Sequence, residues 1–364
     1  MCSWTSHGLR RPLSRHRDDD PRRVRADENC ARDLCDTSDD RRFSTGPLLA
    51  SHGASPLRDH KGTVPRQRSN FPHTGDDWSG VEADPSDPAL RPFLLLAAGL
   101  RRYHRHRIRH LERLGHLLEA GRRVIVVSNH ALDIVDPLLF VATVCERYGR
   151  IPHFIGHENF IFGMPVLRDV ARRWYVLPAR RPADTEAALQ RDGFLMLFPG
   201  AGTEALSRDY RREPYRLKWE GRGGFLRLAL KYDAQILFVA TVGNDDMYFQ
   251  SRLPMPDLLL AAYNGGDPER YRGARLQFGL VGPHILPAVT PLPVQITHVV
   301  SQPLELGNRK AALADPGAFD ALHRRVNARC QSSLTRAVNR ERSRADLLDR
   351  GVRRVGSLLR GFGL

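Results

Sequence analysis

Residues 124–136 read Val-Ile-Val-Val-Ser-Asn-His-Ala-Leu-Asp-Ile-Val-Asp, and residues 194–205 read Phe-Leu-Met-Leu-Phe-Pro-Gly-Ala-Gly-Thr-Glu-Ala. Each stretch opens with an apolar run that stops abruptly at small and polar residues. Such runs are typical of buried parallel strands, whose carboxyl ends deliver polar side chains to one edge of a sheet. The two stretches therefore predict a parallel sheet with reactive groups at the ends of two of its strands.

Further apolar runs alternate with helical patterns along residues 151–300. The connections between these segments are short, and residues such as Gly121 and Pro137 mark their boundaries. This alternation predicts an α/β fold with a largely parallel central sheet flanked by helices. Asp315 and Pro316 predict the start of a long C-terminal helix, because the apolar residues that follow recur at three- and four-residue steps.

Composition divides the chain into four parts. Residues 1–85 contain hardly an apolar run longer than a few residues. We expect a disordered basic tail there, because it buries too little apolar surface to offset its ordering entropy. Residues 86–120 predict a basic helical segment, broken or bent near Gly99. Residues 121–345 hold the α/β domain, and residues 346–364 predict a second basic tail.

The apolar residues of the segment 86–120 are too few to cross a bilayer. The run from Pro92 to Leu100 is about half of the roughly 18–20 residues that a membrane-spanning helix needs. It continues directly into arginine and histidine residues from Arg101 to His110. An apolar run joined to a basic helix is typical of a segment that lies on a membrane surface with anionic lipid. The alternative is an ordinary domain helix with a solvated basic face.

The chain carries a formal net charge of +15, and only four of its 56 basic residues are lysine. A strongly basic protein is attracted to polyanions, which include nucleic acid as well as anionic lipid. A basic nucleic-acid-binding protein without enzymatic activity is therefore one alternative, although the arginines are not set between aromatic residues and form no recognised binding motif. The five cysteines are irregularly spaced and favour neither a disulfide framework nor a zinc site. We expect no metal and a reducing, cytoplasmic setting.

His130 stands directly after the first strand and has two carboxylates close behind it. The reference pKa of histidine, about 6.5, suits a general base at neutral pH. A carboxylate on the other ring nitrogen fixes the tautomer and stabilises the imidazolium. Asp136 and Asp133 are the two candidate partners. Because Asp136 precedes Pro137, its alternative role is the N-cap of the next helix.

The second stretch ends in a Phe-Pro-Gly-Ala-Gly-Thr-Glu turn at residues 198–204. Its glycines allow positive φ angles and a close approach of the backbone. Exposed N–H groups in such a turn are able to hold a phosphate or the oxyanion of a tetrahedral intermediate. The alternative is a tight strand-to-loop turn with Glu204 on the surface.

The ordered blocks, a histidine with nearby aspartates and then a Phe-Pro-Gly turn that ends in glutamate, resemble the phospholipid and glycerol acyltransferase family. The resemblance spans roughly residues 101–340. Val135 occupies the position of the aspartate in that family's pattern, and the second block departs from its usual Phe-Pro-Glu-Gly order. Both departures resemble the branch of diacylglycerol acyltransferases and phytyl ester synthases.

The resemblance implies a single acyltransferase domain that moves a fatty acyl group from acyl-coenzyme A or acyl carrier protein to a lipid hydroxyl, without a resident cofactor. The acceptor stays open among lysophosphatidate, diacylglycerol and a long-chain alcohol. His130 becomes the general base, with Asp136 as the preferred partner and Asp133 as the alternative. The implied substrate-binding residues are Asn129, Phe198, Pro199, Gly200, Gly202, Thr203, Glu204 and Arg180. The enzyme is expected to be peripheral, at the cytoplasmic face of a membrane.

Hydrolysis of a lipid ester or thioester at the same site is the alternative enzymatic function. The sequence has no Gly-x-Ser-x-Gly elbow. Ser128 nevertheless lies two residues before His130, so that strand alternation would point both side chains the same way. Arg208, Arg222 and Arg227 are candidate contacts for the phosphates of coenzyme A.

Overall fold

The strand Val124–Ser128 lies in the middle of a seven-stranded sheet. The computed structural model describes residues 82–156, 161–162, 165–179, 181–264, 271, 273–283 and 291–361. Numbered along the chain, its strands are β1 (Arg107–Arg109), β2 (Val124–Ser128), β3 (His153–Gly156), β4 (Val176–Pro178), β5 (Phe194–Leu197), β6 (Gln235–Val242), β7 (Phe249–Pro254), β8 (Arg275–Phe278) and β9 (Thr297–Val300). The sheet order is β1-β9-β6-β2-β5-β3-β4, and β7 pairs with β8 in a separate antiparallel hairpin.

Parallel pairing dominates the main sheet. β2 pairs in parallel with β5 and β6, whereas β6 and β9 run antiparallel. All five residues of β2 are buried, because the sheet is covered on both faces. Ile125 and Val127 face one apolar core, and Val124 and Val126 face the other. The predicted α/β fold with a largely parallel central sheet is confirmed.

Helices cover both faces of the sheet. They are α1 (Arg91–Tyr103), α2 (Glu112–Glu119), α3 (Val135–Tyr148), α4 (Pro165–Arg173), α5 (Pro182–Arg191), α6 (Ala201–Leu206), α7 (Gly224–Lys231), α8 (Asp257–Asn264), α9 (Arg309–Ala314), α10 (Pro316–Ser343) and α11 (Leu347–Gly361). The predicted long C-terminal helix is α10. The Asp315 carboxylate accepts hydrogen bonds from the N–H groups of Gly317 and Ala318, both at 3.0 Å, and so caps it as expected.

The predicted helical segment 86–120 is divided in the structure. Helix α1 continues past Gly99 and ends at Tyr103, after which Arg105 takes a left-handed conformation with φ 46°. The chain then forms β1, which pairs with β9 at the edge of the sheet. Pairing with a distant strand thus overrides the local helical pattern. None of the helices in the described ranges has the length and hydropathy that crossing a membrane requires.

Three arginines of the segment 86–120 are paired with carboxylates. Arg101 pairs with Glu146, and Arg109 lies 3.6 Å from a carboxylate oxygen of Glu341. Arg105 pairs with Asp346 at 3.1 Å. The apolar residues of α1 divide between two environments: Phe93 and Ala97 are buried in the core, whereas Leu95 and Leu96 are exposed.

The predicted tail 346–364 is a helix over most of its length. Helix α11 docks through Asp349, which is completely buried. One carboxylate oxygen of Asp349 accepts a hydrogen bond from the Gln295 N–H at 2.9 Å, and the other lies 2.7 Å from the Arg353 guanidinium. The bond to Gln295 ties the helix to the segment that leads into β9, an arrangement that composition alone does not reveal.

The predicted N-terminal tail lies outside the described residues up to position 81. Within 82–85, the Asp84 carbonyl accepts a hydrogen bond from the Tyr175 hydroxyl at 3.2 Å. Between β6 and β9, the chain forms the antiparallel strands β7 and β8, with helix α8 between them in sequence. We call β7, α8 and β8 the hairpin lobe. Met255 and Tyr271, which lie between these elements, pack against Leu206.

We predict that Asp349→Ala destabilises the protein by about 1–3 kcal/mol, because it leaves a buried N–H of Gln295 without its acceptor. It also removes the carboxylate partner of Arg353. Urea denaturation measures the change. Asp320→Ala on the exposed side of α10 is the control and should cost less than about 0.5 kcal/mol. Equal effects of the two substitutions would contradict a docked α11.

Candidate active site

A cavity of about 750 Å³ lies at the carboxyl ends of β2, β3 and β5. His130 stands at its wall, and most of the surrounding side chains are apolar. The apolar lining includes Leu132, Ile134, Pro137, Phe154, Ile155, Ile161, Leu197, Phe198, Leu206, Phe225, Leu228 and Leu313. Arg222 and Arg227 add positive charge to the lining, whereas Lys231 is paired with Glu186 at 2.8 Å. The space is large enough and apolar enough to accept a hydrocarbon chain.

The main chain of His130 is held from both sides by charged side chains. Its N–H donates to the Glu204 carboxylate at 2.9 Å. Its carbonyl oxygen accepts a hydrogen bond from the Arg208 guanidinium at 3.3 Å. The imidazole ring stacks on Phe198, with the ring centres 4.5 Å apart. Backbone and ring are thus fixed independently, and the ring is left facing the cavity.

Glu204 was expected to contribute to substrate binding, with a position on the surface as the alternative, and the structure places its side chain in the interior. Its side chain is completely buried and is absent from the cavity lining. One oxygen accepts the His130 N–H, and the other accepts from the Trp219 indole at 3.0 Å and the Lys218 N–H at 3.3 Å. Burial raises the pKa of Glu204 to about 7, against the opposing effect of the nearby Arg208 charge. Glu204 therefore supports the His130 loop from beneath.

Arg208 and Asp245 form a buried ion pair next to this loop. The two side chains are almost completely buried and in hydrogen-bond contact. Arg208 also donates to the Arg216 carbonyl at 3.1 Å, and Asp245 accepts from the Tyr215 N–H at 2.6 Å. These additional bonds offset part of the cost of burying two charges. The Arg208 guanidinium is therefore enclosed and already bound, and it does not line the cavity where coenzyme A phosphates were expected to contact it.

The two candidate aspartates have different partners. Asp133 accepts bonds from the N–H groups of Ile134 and Val135 at the start of α3, and from the Tyr248 hydroxyl. Asp133 therefore binds the N–H groups next to the start of α3, whereas Asp136 lies inside the helix and is not its N-cap. Asp136 lies within the first turn of α3, completely buried, and accepts a bond from the Asn244 amide at 3.4 Å. Burial, and then the neighbouring Asp133 charge, raise the pKa of Asp136 well above its usual range.

The glycines of the 198–204 turn are required for close approach. A Cβ atom on Gly200 would lie 1.9 Å from a Glu204 carboxylate oxygen, and one on Gly202 would lie 2.1 Å from the Tyr271 hydroxyl. Positive φ was expected at the glycines, but it falls on Ala201 between them, with φ 42°. Gly202, Phe198 and Pro199 line the cavity, as does Ala201. Gly200 is not among the lining residues.

Other predicted residues take supporting positions. Asn129 is buried and bonds to both backbone groups of Thr241, accepting at 2.8 Å and donating at 3.0 Å, so that it joins β2 to β6 outside the cavity. Thr203 accepts a hydrogen bond from Arg222 at 2.6 Å. The Ser128 hydroxyl is buried and donates to the Val239 carbonyl at 2.6 Å, which disfavours it as a nucleophile. Arg180 lies outside the described residues.

The residues that sequence reasoning missed follow the end of β6. Asn244 bridges Asn129 and Asp136, Asp245 pairs with Arg208, and Tyr248 bonds to Asp133. The sequence does indicate these residues, because Gly-Asn-Asp-Asp at 243–246 is a polar stretch directly after a buried strand. Within the described ranges, no three His, Cys, Asp or Glu side chains are grouped to hold a metal ion.

Comparison with known proteins agrees with this geometry. Residues 105–242 match the family model described as Acyltransferase. The matched range contains His130, the 198–204 turn and most of the residues that support them. The chain is also 26% identical over 318 residues to uncharacterized protein ML2427 of Mycobacterium leprae (strain TN), covering 82% of this chain and 80% of that protein. Residues 105–242, which carry most of the candidate site, are thus similar to the acyltransferase family.

We predict that Glu204→Gln destabilises the protein by about 1–3 kcal/mol, because an amide NH₂ group cannot accept from the N–H donors on one side of Glu204. The raised pKa adds a pH dependence. The stability associated with protonated Glu204 is fully present below its usual pKa of 4.5 and is lost as the pH rises through about 7. The variant should lack this decline.

Urea denaturation between pH 4 and 8 measures both effects. Glu220→Gln, at an exposed glutamate of the following loop, serves as the control and should leave the stability and its pH profile unchanged. A Glu204→Gln variant with wild-type stability and a wild-type pH profile would contradict the supporting role of Glu204.

Proposed function

We propose that the protein transfers a fatty acyl group from a thioester carrier to a lipid hydroxyl, with His130 as the general base. The observation that carries this proposal is the placement of the His130 ring at the wall of a 750 Å³ apolar cavity, with its main chain fixed by Glu204 and Arg208. The family match supports acyl transfer as the reaction class.

In the proposed reaction, the imidazole takes the proton of the acceptor hydroxyl as its oxygen attacks the thioester carbonyl carbon. The resulting tetrahedral intermediate collapses with cleavage of the carbon–sulfur bond. The imidazolium then returns the proton to the leaving thiolate, which restores the neutral ring. The apolar cavity holds the acyl chain and excludes water, so that transfer is favoured over hydrolysis. We assign the oxyanion to the backbone of the turn that contains Gly202 and Thr203.

The positive charges that line the cavity are complementary to the phosphate groups of the acyl donor. Arg227 and Lys231 lie one turn apart on α7, and Arg222 precedes the same helix. Phosphate groups of either coenzyme A or the phosphopantetheine arm of acyl carrier protein are complementary to these cations. Thr203 orients the Arg222 guanidinium through its hydroxyl. We therefore assign donor binding to Arg222 and Arg227.

Asp136 is the proposed partner of His130. Its second oxygen, Oδ1, is buried and has no hydrogen-bond partner in the part of the chain that the structure describes. Both oxygens of Asp133, in contrast, accept hydrogen bonds. Asp136 therefore retains an acceptor for an imidazole N–H. A positive charge that forms on the nearby imidazole favours the ionised form of this buried carboxyl group, because little water screens the two charges from each other.

We propose a lipid alcohol as the acyl acceptor. The resemblance to diacylglycerol acyltransferases and phytyl ester synthases favours a lipid alcohol such as diacylglycerol or a long-chain alcohol over lysophosphatidate. The mainly apolar lining around His130 supports a weakly polar acceptor. We further propose that the protein works at the cytoplasmic face of a membrane as a peripheral enzyme, where such acceptors reside.

We predict that His130→Ala lowers acyl transfer by about 10²–10⁴-fold, the usual effect of losing a general base. The fold should persist, because Glu204 and Arg208 bind the main chain of residue 130. The assay follows transfer of a labelled acyl group from coenzyme A or acyl carrier protein to a panel of lipid alcohols. His116→Ala, at an exposed histidine of α2, is the control.

A folded His130→Ala protein with wild-type turnover would contradict the proposed mechanism. Release of free fatty acid by the wild-type protein, without ester formation on any acceptor, would instead identify a thioesterase or esterase. Retention of nucleic acid with no turnover in either assay would favour a binding protein.

We predict that Asp136→Asn lowers turnover by about 10²–10⁴-fold without loss of stability, because asparagine removes the cost of a buried charge but cannot accept the imidazole N–H in the same way. Asp133→Asn is the matched comparison. It should keep the helix cap, since asparagine caps as well as aspartate, and should retain more turnover. Inactive Asp133→Asn beside active Asp136→Asn would assign the partner role to Asp133.

A further inference from the structure

Helix α11 docks on the rest of the protein through charged residues. The Asp349 carboxylate is completely buried, and Arg353 lies 2.7 Å from it and 3.6 Å from a carboxylate oxygen of Asp246. Val352, beside them, packs against the apolar cluster that contains Met247. An ordinary surface helix turns an apolar stripe toward the core and its charged residues toward water. The inward side of α11 instead carries an ion pair.

The outward side of α11 carries an apolar stripe. Leu347 is 79% exposed, Leu348 is 55% exposed and Val355 is 53% exposed. Residues three and four apart are neighbours on a helix, so Gly351 lies between the two leucines and Val355 and leaves the stripe uninterrupted by a polar side chain. A contiguous apolar stripe that faces water marks a surface for contact with another apolar phase.

Two arginines lie along one flank of this stripe. Arg350 lies three residues after Leu347, and Arg354 lies four residues after Arg350, so the two side chains form a row beside the leucines. Both arginines are exposed, and neither makes an ion pair with a residue that the structure describes. Because Asp349 is buried and paired, the exposed charge on this part of α11 is positive.

This positive charge selects among the surfaces that could cover the stripe. A second copy of the chain carries the same net charge of +15 and is repelled, whereas an anionic lipid surface is attracted. An apolar stripe with arginines on its flank is typical of a helix that lies in the headgroup region of a membrane. We infer that α11 is the segment through which the protein binds an anionic lipid surface.

The inference names the contact surface for the peripheral membrane location and rests on that part of the proposed function. Its place in the fold agrees with that location. Asp246, which binds Arg353 of α11, follows the carboxyl end of β6, and β6 runs parallel to β2. The carboxyl ends of β2 and β6 therefore share the edge of the sheet at which His130 lines the cavity. Lipid bound by α11 is nearer to this edge than to the opposite one.

Co-sedimentation of the full chain with vesicles tests the inference without any turnover. The vesicles contain phosphatidylcholine alone or equal parts of phosphatidylcholine and phosphatidylglycerol. Arg350→Gln with Arg354→Gln should weaken binding to the anionic vesicles by about fivefold per arginine, and high salt should abolish this difference. Leu347→Ser with Leu348→Ser should weaken binding by about tenfold, and this loss should persist at high salt.

Matched controls remove the same residue types at exposed positions elsewhere. Arg325→Gln with Arg329→Gln removes two arginines four residues apart on α10, and Leu253→Ser with Leu258→Ser removes two leucines of the hairpin lobe. Both controls should bind like the wild type. Urea denaturation should show that all four variants are about as stable as the wild type, because the changed side chains are exposed.

The outcomes separate a misplaced surface from a failure of the proposed function. Undiminished binding of both α11 variants, or equal loss in an α11 variant and its control, would overturn the assignment to α11. Absence of wild-type binding to either kind of vesicle would overturn the peripheral location as well. Neither result bears on acyl transfer, which is measured by turnover.

Two further outcomes would overturn the inference in other ways. Equal binding of the wild type to neutral and anionic vesicles would contradict the role of Arg350 and Arg354. Sedimentation velocity without lipid tests the alternative occupant of the stripe. A dimer that Leu347→Ser with Leu348→Ser dissociates would assign the stripe to a second copy of the chain, whereas a monomer agrees with a lipid surface.

Discussion

The candidate site depends on how the main chain of His130 is held. Its N–H and its carbonyl oxygen are bound by the buried side chains of Glu204 and Arg208. Both partners come from the segment that follows β5, whereas His130 follows β2. The parallel pairing of these two strands places the segments side by side, so the geometry of the sheet creates the clamp. Mobility of this loop would spread the ring over many orientations and lower its efficiency as a base.

Burial of the charged residues sets the electrostatics around His130. Glu204, Asp136 and Asp245 are buried, and burial raises the pKa of each carboxyl group. The Arg208 guanidinium acts on two of these carboxyl groups. It pairs with Asp245, and its charge opposes the rise in the pKa of Glu204. Such a network is costly to bury but rigid once its hydrogen bonds are made. The cavity side of the ring, by contrast, is lined mainly by apolar side chains. The buried carboxyl groups on one side of the His130 ring can stabilise its protonated form. The cavity on the other side can hold an uncharged acyl chain.

The sequence could predict the parts of this arrangement that depend on local pattern. The apolar runs ending at Ser128 and Leu197 are strands because continuous burial demands them, and the residues at their ends, His130 and Phe198, line the cavity. The role of Glu204 was not predictable, because its donors on His130 and Trp219 are brought to it only by tertiary folding. Arg208 gave no local signal in a chain with so many arginines. The predictions of a helix through residues 107–109 and of a tail from residue 346 failed for the same reason. Pairing with β9 makes the first a strand, and burial of Asp349 docks α11.

The central claim is that the cavity holds an acyl chain whose thioester lies beside the His130 ring. A crystal structure of the protein with an unreactive alkyl thioether of coenzyme A tests it most directly. The alkyl chain should lie along Ile155, Leu197 and Phe225, with the sulfur next to the imidazole and the phosphates near Arg222 and Arg227. A chain bound elsewhere, or a sulfur remote from His130 with the cavity unoccupied, would contradict the claim.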